Sequence, residues 1–158
     1  KQQRGIYEID WDAENEIVRS MPFMSYVVHD AVALAGWADQ LPDLYLRWSE
    51  FLKDGYDTIG ENWGAGTHAH GWSCTPTRDM LIYTLGVTPA EPGFTRAHIA
   101  PRLGHLEWVK GKVPTPYGSI SVEVVGRELF IDSPIPCNLC LAGQPERAFP
   151  AGWHRIDL

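Results

Sequence analysis

The segment DTIGENWGAGTHAHG, residues 57–71, sets one carboxylate, Glu61, close to Trp63, His68, His70 and Trp72. A carboxylate able to act as base or nucleophile, beside flat aromatic faces and imidazole hydrogen-bonding groups, is what glycoside hydrolysis requires. Gly60, Gly64, Gly66 and Gly71 let the backbone turn back on itself, so that several side chains can point at one place. The plainer alternative makes Trp63 and Trp72 core anchors, both histidines satisfied polar groups and Glu61 a solvated charge. A zinc site built from His68, His70 and Cys74, with His29 or Glu61, is a further reading. HxH spacing is common and names no fixed fourth ligand, so neither a metal nor another cofactor is expected.

The elements that must hold this loop can be read on either side of it. Pro22 suits a first helical turn and Ser20 an N-cap, opening a helix over 20–35 that Gly36 stops. Leu41, Leu44, Tyr45, Trp48, Phe51 and Leu52 follow the spacing of one buried helical stripe, which predicts a second helix over 41–54 ended by Gly55. Ser73, Thr75 and Pro76 offer caps and a first-turn proline for a third helix over 76–85, stopped by Gly86. Glu61 therefore falls in a loop between two helices. Near Glu91 the composition changes to Val, Ile and Thr with frequent Pro and Gly, and six short strands follow: HIAP, LEWVKGKV, GSISVEVVG, ELFIDS, CNLCLA and WHRIDL. Their alternation predicts an antiparallel sandwich, with Ile120, Val122 and Val124 inward and a hairpin turn at Gly126 and Arg127.

The chain of 158 residues is 44% hydrophobic, enough for a packed core, and carries a net charge of −7 without clustered Lys or Arg. That balance argues against a surface built for nucleic acid. No apolar stretch reaches the length of a membrane span, and KQQRGIYEIDWD has no apolar signal-peptide core, so no membrane is expected and localisation stays open. Cys74, Cys137 and Cys140 give no disulfide framework, and the CxxC of residues 137–140, without a second CxxC, reads as structural. Asp10, Asp12, Glu14 and Glu16 read as a solvated face. Seven tryptophans, spread from Trp11 to Trp153, suit carbohydrate surfaces as well as large cores.

Several segments, in order, resemble the C-terminal portion of the bacterial α-L-rhamnosidases, which are six-hairpin glycosidases. MPFMSYVVHDAVALAGWADQ is similar to a helix of that family, DTIGENW to its Thr-Thr-x-x-Glu-x-Trp motif and THAHGW to its Ser-His-x-His segment. YTLGVTPAEPGFTRAHIAP and LEWVKGKVPTPYGSISVEV resemble the junction and first strands of its terminal sandwich. The resemblance implies an α+β chain: the last helices of an incomplete (α/α)6 toroid over 1–90, then a β-sandwich over 91–158. It implies Glu61 as the general base of an inverting hydrolysis, His68 or His70 bonding the rhamnose, and Trp63 and Trp72 shaping the sugar pocket. The general acid of the family lies upstream of anything matched here. The chain departs from the family at Gly60, where a bulky aromatic often precedes the glutamate.

The expected partners are a rhamnosyl glycoside or rhamnose-containing polysaccharide, and the remainder of the toroid in the same protein or a companion chain. Three helices cannot bury all their apolar faces against one another, which is why such a partner is expected. The competing reading is a non-catalytic carbohydrate-binding or structural module, with Trp108, Tyr117 or Trp153 of the sandwich as the sugar contacts.

Overall fold

In a computed structural model the described residues are 11–12, 17–18, 20–53, 55–64 and 66–158. The expectation for Asp10, Glu14 and Glu16 falls outside them, as do the side chains before Ser20. Strands β1 (Trp11–Asp12) and β2 (Ile17–Val18) pair antiparallel. Helix α1 (Ser25–Leu34) is preceded by a 3-10 turn over Pro22–Met24. Its end is a Schellman closure: Gly36 N–H donates to Ala33 O, Trp37 N–H donates to Val32 O, and Gly36 sits at φ 85°.

The second helical stretch is not one helix. It divides into α2 (Leu41–Tyr45), a 3-10 turn over Leu46–Trp48, and α3 (Ser49–Lys53). The tighter turn changes which side chains face inward: Leu41, Tyr45 and Phe51 are buried, whereas Leu52, expected in the same stripe, is 74% exposed. The third stretch joins α4 (Thr75–Asp79) to a π-helical turn over Met80–Thr84, where Leu85 N–H reaches Met80 O at 2.8 Å. Neither Ser20, Ser73 nor Thr75 provides the expected side-chain cap; Met21 and Cys74 occupy the N-cap positions without a side-chain bond.

The rest is two four-stranded sheets. One has the order β10-β7-β6-β5, from β5 (Trp108–Thr115), β6 (Gly118–Val125), β7 (Glu128–Ser133) and β10 (Gly152–Asp157). The other has the order β3-β4-β8-β9, from β3 (Val87–Pro89), β4 (Ala97–Ile99), β8 (Cys137–Leu139) and β9 (Arg147–Phe149). Their inner faces share one core, including Ile99, Ile120, Val122, Val124, Leu129 and Ile131. The expected alternation of β6 and the turn at Gly126 and Arg127 are both present. The sandwich is not wholly antiparallel, because β4 and β8 run parallel. The meander β5-β6-β7 intervenes between them in the opposite sheet, and the chain returns in its original direction.

Helices and sandwich are joined by the residues between them. Gly86, at φ 75°, closes the π turn so tightly that a Cβ there would lie 2.1 Å from Ala100 O. Leu85, the residue before it, is 1% exposed and belongs to the sandwich core, as does Val87 of β3. The sheet thus begins on the helical side of residue 91. A largely apolar cavity of about 500 Å³ runs along this seam, lined by Tyr45, Met80, Leu85, Val109 and Gly111 among others.

Candidate active site

Glu61 stands at one side of a closed loop. Its own N–H donates to Thr67 O at 2.9 Å, and Thr67 N–H donates back to Glu61 Oε2 at 3.2 Å. His70 N–H donates to Ile59 O at 2.8 Å, and Ala69 N–H to Thr58 Oγ1 at 3.1 Å, which ties the two limbs together. The return is made through Gly64 and Gly66, at φ 72° and 89°. Glu61 is only partly covered. Hydrogen bonds from the Thr67 backbone and side chain hold its carboxyl below the usual glutamate range, against a smaller opposing effect of burial and with help from the nearby His70. The group is therefore ionised and accessible, as a base must be.

The other four residues of the segment take different places. His70 is half-buried, with its ring edge-on to Phe23 at 6.3 Å. His68 is exposed and lies against Tyr56, ring centroids 4.4 Å apart. Trp72 is 66% exposed; with Tyr26, Cys74 and Arg78 it lines a cleft of about 290 Å³. Trp63 points the other way: it is 8% exposed, stacks on Phe51 at 5.4 Å, meets Trp48 edge-on at 5.2 Å, and donates from Nε1 to Ser20 O at 2.8 Å. Its ring is part of the packing beneath the loop and offers no open face for a sugar. His70 thus lies on the Glu61 side of the loop, while Trp72 faces a separate cleft.

A buried polar clasp underlies this arrangement. His29 Nδ1 and Asp79 Oδ2 are 2.7 Å apart, both side chains almost fully enclosed, and the His29 ring packs against Tyr45 and Trp48. Arg78 grips both oxygens of Asp30 at 2.9 and 3.2 Å, and Tyr83 OH donates to Asp30 at 2.7 Å. Burial raises the Asp30 pKa, but the hydrogen bonds from Arg78 and Tyr83 outweigh it and hold the carboxyl below its ordinary value. Helices α1 and α4 are therefore locked together. Trp48 Nε1 donates to Ser73 O at 2.8 Å and fixes the far end. Neither Thr67 nor this clasp is legible in the sequence; the acidic and basic partners lie about fifty residues apart and only the fold pairs them.

Residues 86–138 match the family model described as the bacterial alpha-L-rhamnosidase C-terminal domain. That third of the chain resembles the C-terminal domain of the α-L-rhamnosidases. An alpha-L-rhamnosidase of Alteromonas sp. (strain LOR) is 37% identical to it over 78 residues, which is 48% of this chain and 8% of that protein. The crystal structure of a GH78 family rhamnosidase of Bacillus sp. GL1 superposes with a TM-score of 0.69 at 26% identity, covering 78% of this chain and 15% of that one. An α-L-rhamnosidase of Aspergillus terreus shares the fold, with a TM-score of 0.67 at 19% identity over 83% of this chain and 18% of that one. The rhamnosidase-like chain thus spans less than a fifth of the length of either structure.

The exposed aromatics of the rhamnosidase-like sandwich do not make one platform. Trp108 and Trp153 lie on β5 and β10, at opposite edges of their sheet and about 14 Å apart across its strands. Tyr117 is in the hairpin turn at the far end of β5 from Trp108. No two of these rings share a contact, although Trp153 packs on Phe130 at 6.2 Å. The His68, His70 and Cys74 grouping considered for zinc does not converge either; among the described residues a different trio does, on the sandwich.

Proposed function

We propose that this chain carries the general-base side of an inverting α-L-rhamnosidase active site, with Glu61 as the base. The general acid comes from the longer protein's remaining toroid helices. The Glu61 carboxylate takes a proton from a water, that water attacks the anomeric carbon, and the acid protonates the departing glycosidic oxygen. Such a pair of carboxyl groups stands about 6.5–9.5 Å apart. His70 and His68 supply hydrogen bonds to sugar hydroxyls, Trp72 an open aromatic face, and Trp63 the support beneath the loop. The observation that carries this reading is the Glu61 carboxylate itself: partly exposed, oriented by Thr67 and held ionised.

The helical faces favour the same reading. Val27, Val28, Leu34, Trp37 and Leu46 are all exposed, which suits burial against the rest of a toroid. The chain alone is expected to be inactive. In the longer protein, Glu61→Gln should lower kcat on an aryl rhamnoside by about 10²–10⁴ without changing the melting temperature. An unchanged rate would remove Glu61 from the mechanism.

A further inference from the structure

Away from the Glu61 loop, a second chemical site lies on the outer face of the sheet that contains β4 and β8. In a strand, side chains alternate between faces. Cys137 and Leu139 point into the core, at 0% and 1% exposure, so Asn138 and Cys140 point out. The three-residue step of CxxC therefore puts its two sulfurs on opposite faces, and the motif is neither half a zinc site nor a redox pair. On β4, Ala97 and Ile99 point in and His98 points out. The parallel register sets His98 beside Asn138, and Cys140 N–H donates to Ile99 O at 2.8 Å.

These constraints bring the outward side chains together. His98 Nδ1 lies 3.6 Å from Cys140 Sγ, and the Cys140 thiol donates to Glu146 Oε2 at 3.2 Å. One ligand atom from each of the three falls within 4.8 Å of the others. Glu146 is oriented in turn: Asn138 Nδ2 donates to its Oε1 at 2.9 Å, and Arg96 reaches Asn138 Oδ1 at 3.5 Å. We infer that His98, Cys140 and Glu146 form a binding site for a thiophilic divalent cation, with zinc as the best fit.

The distances agree with tetrahedral coordination. With Zn–S near 2.3 Å and Zn–N near 2.0–2.1 Å, a tetrahedral angle separates sulfur and nitrogen by about 3.6 Å. The corresponding sulfur–oxygen separation is also about 3.6 Å, a few tenths wider than the present contact. A soft thiolate, an imidazole and a carboxylate are a zinc donor set, and the carboxylate carries its own orienting partner. Half-exposed His98 and Cys140 and exposed Glu146 leave the fourth position to water. Binding is an exchange: the cation takes the place of the thiol proton now shared with Glu146, and that proton leaves to solvent. Because binding displaces a proton, it should weaken as the pH falls. A bound ion would clip the β8–β9 loop to β4.

The test is a cobalt(II) titration of the 158-residue chain, with zinc as competitor and circular dichroism to check the fold of each variant. One cobalt per chain is expected, with thiolate-to-cobalt absorption in the near ultraviolet that zinc abolishes. Cys140→Ser should remove that band, His98→Gln should weaken binding at least tenfold, and Asn138→Ala should weaken it by about 10–100-fold. Cys74→Ser should leave the band intact. Absence of a thiolate band in the parent chain, or a band that survives in Cys140→Ser and disappears in Cys74→Ser, would overturn the assignment.

Discussion

A methyl group on Gly66 would meet Asn62 Nδ2 at 2.7 Å and Glu61 Cβ at 3.1 Å, at a φ of 89° where side chains are rarely tolerated. Gly66→Ala should therefore destabilise the loop by about 1–2 kcal/mol and push the Glu61 carboxylate away from Thr67 N–H. The sign of the accompanying titration change is fixed. Glu61 is depressed in the folded chain, so it stays ionised as pH falls through the ordinary glutamate range and protonates only below it. Losing the Thr67 hydrogen bonds raises that midpoint toward the ordinary value. Carbon-13 NMR of labelled glutamate carboxyls, comparing the parent chain with Gly66→Ala, reads it directly; an unmoved midpoint would mean that Thr67 does not hold the base. Glu61 was legible in the sequence because a carboxylate between two helix signals, among aromatics and imidazoles, is unusual. Thr67 was not, since only the closed loop brings its backbone N–H and hydroxyl to Glu61, and the inward turn of Trp63 depends on Phe51 and Trp48 closing over it.

At the scale of elements, α1 and α4 are joined by two polar pairs of different character. His29 and Asp79 are enclosed, and although Asp79 also accepts from Arg78 at 3.2 Å, removing Asp79 leaves the His29 ring without its partner. Asp79→Ala should destabilise the helical part by about 3–5 kcal/mol, whereas the double replacement His29→Leu with Asp79→Leu should lose much less; urea unfolding followed by tryptophan fluorescence measures both. Asp30 and Arg78 are more exposed, and their contribution depends on pH. Because Asp30 is depressed on folding, its stabilisation is complete above the unfolded value near 3.8 and is lost as pH falls through the lower folded value. Asp30→Asn should therefore flatten the acid side of the stability profile, and a parallel loss in parent and variant would count against it. Helix positions were legible from Pro22, Gly36, Pro76 and Gly86, which act locally. The 3-10 break at Leu46–Trp48 and the π turn at Met80–Thr84 were not, because packing against neighbours sets them. Likewise, period-two alternation located β6 and β7 but carries no direction, so the parallel pairing of β4 with β8 stayed hidden.

For the whole molecule, the two parts should differ in stability. The sandwich has a continuous core between two sheets, while the helices expose Val27, Val28, Leu34, Leu46 and Leu52. Hydrogen exchange on the isolated chain should protect amides of β6 and β7 far longer than those of α1 and α3, with hydrophobic dye binding that the longer protein lacks. Equal protection throughout would show that the helices need no further partner.

The placement of Leu85 bears on how such proteins can exchange parts. Its side chain belongs to the sandwich while its backbone ends the last helix, and β3 follows at once. A sandwich transplanted onto another catalytic domain at residue 91 would arrive without a core leucine and without an edge strand. The recombination point must lie on the helical side of Leu85, so the end of the last helix and the sandwich should be inherited together, as a single heritable unit.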